Sequence, residues 1–382
     1  MTRRIDDIEL LRAVAILAVV IEHAERNLIT WHSRGFEWIL SHVRGWSGVD
    51  LFFAISGFVI ARDLLPKLES SANIRTFFNI SLAFWVRRAW RLLPSAWLWL
   101  AVILSASVAF NKSGVFRSFE SAAGGTIAAV FQFTNIRFSD CFARYECGAN
   151  FYYWSLSLEE QFYLFLPLVC FLSRKWLPRV LGCLVLFQIL IPHRPMLLIN
   201  IRTDGLLMGV LIAIWSGTTS YRRFEPHFLA HSRLLRLVVL LVLLYALGAT
   251  TAATDTWGLA PFRFSIITVL TTLLVWIASY DKDYLSVSRL LKPAMMWIGA
   301  RSYAMYLVHP VVYAAIIEIS YDFSPNKGII VTMFNASHTL PFVLSAIVAI
   351  LVLSELNYRL IEIPLRKKGM EISARILQKD SA

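Results

Sequence analysis

The sequence predicts an all-α, polytopic integral membrane protein of about ten transmembrane helices, with both termini on the cytoplasmic side. Three observations carry that reading. The chain of 382 residues is 57% hydrophobic and only 16% charged, with a mean hydropathy of +0.60, too apolar for a soluble globule. Its apolar residues fall into runs able to span a bilayer with some tilt or shortening. Its basic residues, which give a net charge of +12, concentrate in alternate connections. That is the signature of topology rather than of nucleic-acid binding.

Spans are expected at residues 8–24, 46–62, 92–110, 158–173, 180–194, 204–217, 235–254, 262–280, 295–319 and 338–357. With the N-terminus inside, the start, 62–91, 174–179, 218–236, 281–293 and the C-terminal segment are also inside. These hold most of the Lys and Arg, down to the Arg366-Lys367-Lys368 cluster. The first span does not read as a cleaved signal peptide, because Glu22 and His23 interrupt it and no small-residue cleavage pattern follows. Gly124 to Thr134 is apolar but short, the length of a re-entrant or interfacial piece. A single membrane domain over 1–365 and a short basic cytoplasmic tail over 366–382 account for the chain. Of four cysteines, Cys170 and Cys183 fall in apolar spans as buried thiols. Cys141 and Cys147 share a predicted outside loop, either as a disulfide or as two free thiols. Their spacing matches no zinc pattern, and no metal site is expected.

Ionisable residues inside these spans are the functional signal. A charged side chain at mid-bilayer costs roughly 2.5–3.5 kcal/mol on insertion scales, yet the first span carries Arg12, Glu22 and His23. A neutral imidazole can take a proton near neutral pH, so His23 is a candidate base. In the second span Asp50 needs a cation or a polar cluster, and Ser56-Gly57 reads as a close-packing step between helices. Before the third span, Arg88 and Arg91 are three apart on one helical face, suited to bidentate phosphate recognition. The alternative for that block is a positive-inside anchor flanked by Trp85 and Trp90.

Ser157 and Glu160 fit a capping box at the start of the fourth span. Glu159 is not needed for that cap and is free to orient His23. Arg202 and Asp204 open the sixth span, either as a self-neutralising pair or as cavity residues. In the ninth span Ser302, Tyr306 and His309 share one helical stripe, which fits the lining of a polar cavity better than exposure to lipid. Arg359 and Glu362 read as a local salt bridge closing the last helix.

These blocks, in this order, resemble acyltransferase family 3, the bacterial membrane O-acyltransferases of polysaccharides, lipo-oligosaccharides and some antibiotics. The matching segments are Arg4-Ile5-Asp6 to His23, Gly48-Val49-Asp50-Leu51-Phe52-Phe53 with Ser56-Gly57-Phe58, and Arg87-Arg88-Ala89-Trp90-Arg91 with Pro94. Trp154 to Tyr163, Arg202 to Gly209, Gly299 to His309 and Glu362 to Pro364 complete the series. The resemblance implies a protein of the bacterial cytoplasmic membrane that takes an acyl group, usually acetyl, from cytoplasmic acyl-CoA and transfers it to a hydroxyl. It implies no bound cofactor, and a glycan, glycolipid or other hydroxyl-bearing molecule as acceptor. His23 corresponds to the family's catalytic histidine, and Arg12, Arg88 and Arg91 to its functional arginines. Some relatives carry a further soluble domain, which is not expected here because the chain ends soon after Pro364.

On this reading Arg88 and Arg91 hold CoA phosphates and His23 deprotonates the acceptor. Glu159 fixes the imidazole tautomer, and Tyr306 or Ser302 stabilises the oxyanion. Arg12 and His23 stand eleven residues apart, about 16 Å along a helix. The donor arm must cover that interval, or the acyl group must pass through a covalent intermediate. The rival from another class is a transporter or flippase of a glycan or lipid-linked sugar. Against it, no repeat relates the two halves of the chain.

Overall fold

Backbone polar groups inside a bilayer must be satisfied within the protein, which leaves helices and closed barrels as spanning structures. Among the described residues this chain uses helices and no strands. The computed structural model describes residues 4–29, 34–253, 260–286, 288–322 and 336–378. The first helices are α1 (Asp6–Leu28), α2 (Arg34–His42), α3 (Gly48–Glu69), α4 (Ile74–Ala109), α5 (Phe119–Val130) and α6 (Thr134–Cys141). Then come α7 (Trp154–Ser173), α8 (Leu177–Ile189), α9 (Met196–Asn200), α10 (Asp204–Ser216), α11 (Thr219–Arg223) and α12 (Phe228–His231). The last are α13 (Arg233–Ala252), α14 (Arg263–Ser279), α15 (Lys292–Ala300), α16 (Ser302–Asp322), α17 (Ala336–Asn357) and α18 (Ile363–Gln378).

Each expected span is helical over most of its length. Among the described residues seven helical stretches are long and apolar enough to cross a membrane: Ile74–Ala109, Phe151–Ile189, Met196–Ser216, Arg233–Ala252, Ala260–Ser279, Ser302–Asp322 and Leu340–Gln378. The chain is a multi-pass membrane protein. Helices α1 and α3 have the length, at 23 and 22 residues, but carry too many charges to join that set. Burial resolves the conflict. Ala13, Ala15 and Ile16 are all fully buried although they point to different sides of α1, so most of this helix is enclosed by protein. Three apolar clusters meet around α1 and α3. One joins α1 to α4, α16 and α17, a second joins α1 and α3 to α14, and a third joins α3 to α7, α8 and α10.

Small residues let these helices touch. A Cβ on Gly57 would lie 1.9 Å from the Leu206 carbonyl oxygen, and one on Gly209 would lie 2.2 Å from that of Ala54. The α3–α10 crossing is thus a backbone contact of the small-residue kind. Gly299 does the same for α15 against α1, where a Cβ would lie 2.1 Å from the Glu9 carbonyl oxygen. The packing step expected at Ser56-Gly57 is therefore made by the glycine, which leaves the serine to turn elsewhere.

Several local expectations are corrected. The third span continues back from residue 92 to Ile74, where Asn73 accepts from the Thr76 N–H at 2.9 Å as a cap. At 36 residues, α4 is about 54 Å long, well beyond the hydrocarbon thickness. Arg87, Arg88 and Arg91 therefore lie in mid-helix. Most of the basic tail is α18, packed along α4. Arg87 Nη1 donates to Ser373 Oγ at 2.6 Å, and Lys368 sits over the Trp90 ring at 4.9 Å. Residues 379–382 lie outside the described residues. The ninth span is broken at Arg301, which ion-pairs with Glu355 and lies over the rings of Trp297 and Tyr358. Arg359 also pairs with Glu355 rather than with Glu362. Glu362 instead accepts from Asn357 Nδ2 at 2.9 Å, because the π-helical turn Tyr358–Glu362 shifts the register that an α-helix would have kept. The capping box fails too: α7 starts at Trp154, so Ser157 is inside it and accepts from the Thr134 N–H at 3.3 Å. Cys141 and Cys147 form a disulfide.

The α3–α10 contact generates a direct test. Gly57→Val is expected to lower stability by about 1–3 kcal/mol through overpacking, read as a fall in thermal midpoint of the detergent-solubilised protein. Gly182→Ala, where an added Cβ meets nothing within 4 Å, should leave the midpoint in place.

Candidate active site

The most informative contact in the molecule joins two histidines. His23 Nδ1 lies 2.8 Å from His309 Nε2, and the rings are stacked with centroids 5.1 Å apart. The second nitrogen of His309, Nδ1, lies 2.9 Å from the Met305 carbonyl oxygen, one turn earlier on α16. A carbonyl only accepts, so His309 Nδ1 carries a proton. With His309 neutral, its Nε2 is an acceptor and takes the Nδ1 proton of His23. The chain from Met305 through His309 thereby leaves the lone pair of His23 on Nε2. A second group that fixes the tautomer of a base is the logic of a catalytic triad, here supplied by a buried imidazole. His309 is fully buried, whereas His23 is partly exposed.

Glu159, expected to orient His23, does not do so. It accepts from Tyr163 OH at 2.7 Å, and Ser56 Oγ lies 3.4 Å from the same carboxylate oxygen. Since Tyr163 spends its proton on Glu159, Ser56 is the donor in their 2.9 Å contact. Glu22 faces another way as well. It takes Arg26 Nε and Nη2 at 2.9 and 2.8 Å and the Gly45 N–H at 2.9 Å, tying α1 to the segment before α3.

Glu159, Ser56 and Tyr163 face a cavity of about 80 Å³ together with Arg12, Arg88 and Arg91. Its lining also includes the apolar Val49, Phe52, Phe53 and Leu156 and the hydroxyl groups of Ser155, Ser302 and Tyr306. His23 is not part of this lining. The histidine pair stands beside Tyr306, with the His309 and Tyr306 rings 5.8 Å apart. Tyr306 donates its one proton to the Tyr152 carbonyl at 2.8 Å and contacts Ser155 Oγ at 2.7 Å, so it has none left for an oxyanion. Ser302 Oγ is buried with no hydrogen-bond partner. It lies seven residues below His309, about 10 Å along the helix, and so serves the cavity and not the imidazole. Arg88 lies over the Phe84 and Tyr163 rings at 5.7 Å. Among the described residues neither Arg88 nor Arg91 makes a hydrogen bond or an ion pair.

Asp50, Arg202 and Asp204 lie apart from this lining. Arg202 does not neutralise its neighbour Asp204. Its Nε and Nη2 donate to Asp50 Oδ1 and Oδ2 at 2.6 and 3.0 Å, and its guanidinium rests 4.9 Å from the Trp154 ring and 5.0 Å from that of Phe264. Asp204 is ion-paired with Arg194 Nη2 at 2.7 Å, without hydrogen-bond alignment. All four side chains are buried. The Asp50–Arg202 pair ties α3 to the start of α10, and its guanidinium lies 5.8 Å from the ring of Phe53, a residue of the cavity lining. Sequence reading overlooked Arg194, which it placed at the end of the 180–194 span, because its partner Asp204 is ten residues further on. Tyr152, Ser155 and Tyr163 carry no charge, and nothing in the sequence singles them out as site residues.

Removing one member of a buried pair leaves the other uncompensated, at a cost of about 3–5 kcal/mol. Arg202→Met is expected to lower the thermal midpoint sharply, and Asp50→Asn introduced beside it to recover a large part of the loss. A double variant as unstable as the single one would show that Arg202 acts by packing on its aromatic neighbours.

The family model described as an acyltransferase domain, that of acyltransferase family 3, matches residues 5–356. O-acetyltransferase OatA of Staphylococcus aureus (strain MRSA252) is 28% identical over 395 residues, covering 97% of this chain and 58% of that protein. Peptidoglycan O-acetyltransferase OatA of Listeria monocytogenes is 26% identical over 394 residues, covering 96% of this chain and 56% of that protein. The chain thus spans a little over half the length of these curated relatives. No solved structure matches it. Because the family model matches residues 5–356, most of the chain and the whole lining of the first cavity, the chain belongs to acyltransferase family 3.

Proposed function

We propose that this protein is an O-acetyltransferase of the bacterial cytoplasmic membrane. It moves an acetyl group from acetyl-CoA to a hydroxyl of a cell-envelope polysaccharide, with His23 as general base. Family membership and the O-acetyltransferase names of the relatives support the reaction class. The single observation that carries the residue assignment is the ordered hydrogen bonding from the Met305 carbonyl through His309 to His23. Arg4 and Arg12, Arg62, and Arg87 to Arg91 in the first half of α4 lie toward the cytoplasm, as the positive-inside rule assigns them.

The donor enters at that face, with its phosphates beside Arg88 and Arg91, where guanidiniums offer charge-assisted bonds. Its pantetheine arm lies along the cavity, with Ser302 donating to one of its amide carbonyls. The thioester then stands by Tyr306, close to the histidines. The acceptor comes from the opposite side and meets His23, which is partly exposed. His23 Nε2 takes the hydroxyl proton as the alkoxide oxygen bonds to the thioester carbon. The tetrahedral intermediate collapses, the carbon–sulfur bond breaks, and the CoA thiolate leaves with the proton that His23 received. As His23 becomes an imidazolium, His309 Nε2 keeps accepting from its Nδ1 and stabilises the charge. Glu159 holds Ser56 and Tyr163 in the cavity wall and takes no proton from the acceptor.

The test is transfer of labelled acetyl from acetyl-CoA into polysaccharide by proteoliposomes. His23→Ala should abolish transfer while donor binding persists. His309→Gln should lower kcat by roughly 10–100-fold with KM for acetyl-CoA little changed, as expected for a group acting only through the base. Full activity in His23→Ala would overturn the base assignment. Absence of transfer by correctly folded wild-type protein with any acyl-CoA would overturn the reaction class.

A further inference from the structure

A second hollow, of about 220 Å³, adjoins the first at the arginine-rich end, and Arg12 and Arg91 line both. Arg4, Arg62 and Arg366 join them in its wall, with Glu9 as the one lining carboxylate. The five arginines come from five places in the chain: the residues before α1, then α1, α3, α4 and α18. A solvated anchor for the membrane surface requires no such convergence, since each guanidinium can reach water on its own. Here tertiary structure gathers like charges around a shared space, which is unfavourable until an anion fills it.

The local compensation is small. Glu9 ion-pairs with Arg4 at 3.0 Å and with Arg12 at 3.6 Å. Among the described residues Arg62, Arg91 and Arg366 make neither an ion pair nor a hydrogen bond, and Arg12 Nε is buried without a hydrogen-bond partner. Glu362, held by Asn357 Nδ2 and outside the lining, adds a second carboxylate near Arg12, Arg91 and Arg366. The hollow therefore offers unused donors of the fork type that suits phosphate oxygens. The shared walls suit one molecule with a polyanionic head in the wide hollow and a thin arm in the narrow cavity.

We infer that Arg4, Arg62 and Arg366 form the phosphate subsite of the acyl donor and select a donor that carries a pyrophosphate and a separate phosphomonoester. The inference rests on the acyl-CoA reading above and extends it to residues outside the Arg88/Arg91 block. Charge decides between donor classes. A head with both groups brings about four negative charges, matching five guanidiniums against one lining carboxylate. A thioester on the phosphopantetheine of a carrier protein brings about one from its phosphodiester and would leave most of the arginines unopposed. The subsite thus favours free acyl-CoA over an acylated carrier protein.

An anionic lipid headgroup offers the same phosphate chemistry, and the test separates the two. Wild-type protein in phosphatidylcholine nanodiscs is titrated with CoA, with CoA lacking the 3′-phosphate, and with adenosine 3′,5′-bisphosphate. CoA is expected to bind about tenfold or more tightly than its dephospho form, and adenosine 3′,5′-bisphosphate to compete with it. Arg62→Ala and Arg366→Ala should each weaken CoA by about tenfold and remove most of the discrimination. The wild-type comparison alone remains decisive if a variant does not fold. Equal binding of CoA and its dephospho form by wild type, or unchanged discrimination in both folded variants, overturns the subsite while leaving the acyl-CoA reading intact. Loss of CoA binding when phosphatidylglycerol replaces phosphatidylcholine assigns the hollow to a lipid headgroup and overturns it as well. Failure of wild type to bind any of the three ligands overturns the donor reading together with the subsite.

Discussion

A polar group taken into a bilayer must find a partner or a ligand, and this constraint organises the whole bundle. Asp50 and Arg202 meet it most fully. Two hydrogen bonds join them and aromatic rings cover the guanidinium, while the parallel pairing of Asp204 with Arg194 closes the same region. With those charges satisfied, α3 and α10 approach until backbone meets backbone at Gly57 and Gly209. The groups that do not find partners are just as informative. Ser302 Oγ, Arg12 Nε and the guanidiniums of Arg88 and Arg91 are left over along one connected path.

That path runs beside α1. Arg12 stands at its basic end, and His23 lies about 16 Å further on. The first is in the cavity lining and the second lies outside it, so α1 acts as a ruler between donor phosphates and the base. Helix α16 supplies a matching series: Ser302 and Tyr306 in the cavity lining and His309 against His23. The proline at 310 leaves the α16 turn below it intact, and the Met305 carbonyl is there to receive the His309 proton.

The use of histidine where many hydrolases place a carboxylate has a physical logic in this setting. A carboxylate behind the base would have to be kept ionised in a poorly polarisable interior, at high desolvation cost. A neutral imidazole anchored to a backbone carbonyl fixes the same tautomer without adding charge. The carboxylate that sequence reading nominated, Glu159, lies instead among hydroxyls and arginines, a more favourable setting for it.

The spans, the enclosed polar stations and the family were legible in the sequence, because hydropathy period and charge placement are properties of single segments. The polar stripe of Ser302, Tyr306 and His309 was read from helical spacing alone, and Arg12, Arg88 and Arg91 from motif order. Partnerships were not legible. Arg202 with Asp204, Arg359 with Glu362, Ser157 with Glu160 and His23 with Glu159 were all inferred from nearness in sequence or from residue type. The structure replaced them with Asp50, Glu355, Thr134 and His309. The physical reason is that a side chain's partner depends on the rotation and crossing of neighbouring helices. Close approach at Gly57 and one π-helical turn at Tyr358–Glu362 suffice to redirect it, and no single segment encodes either effect. Sequence by itself determined which polar groups enter the membrane; tertiary structure decided which of them meet and which are left facing the cavities.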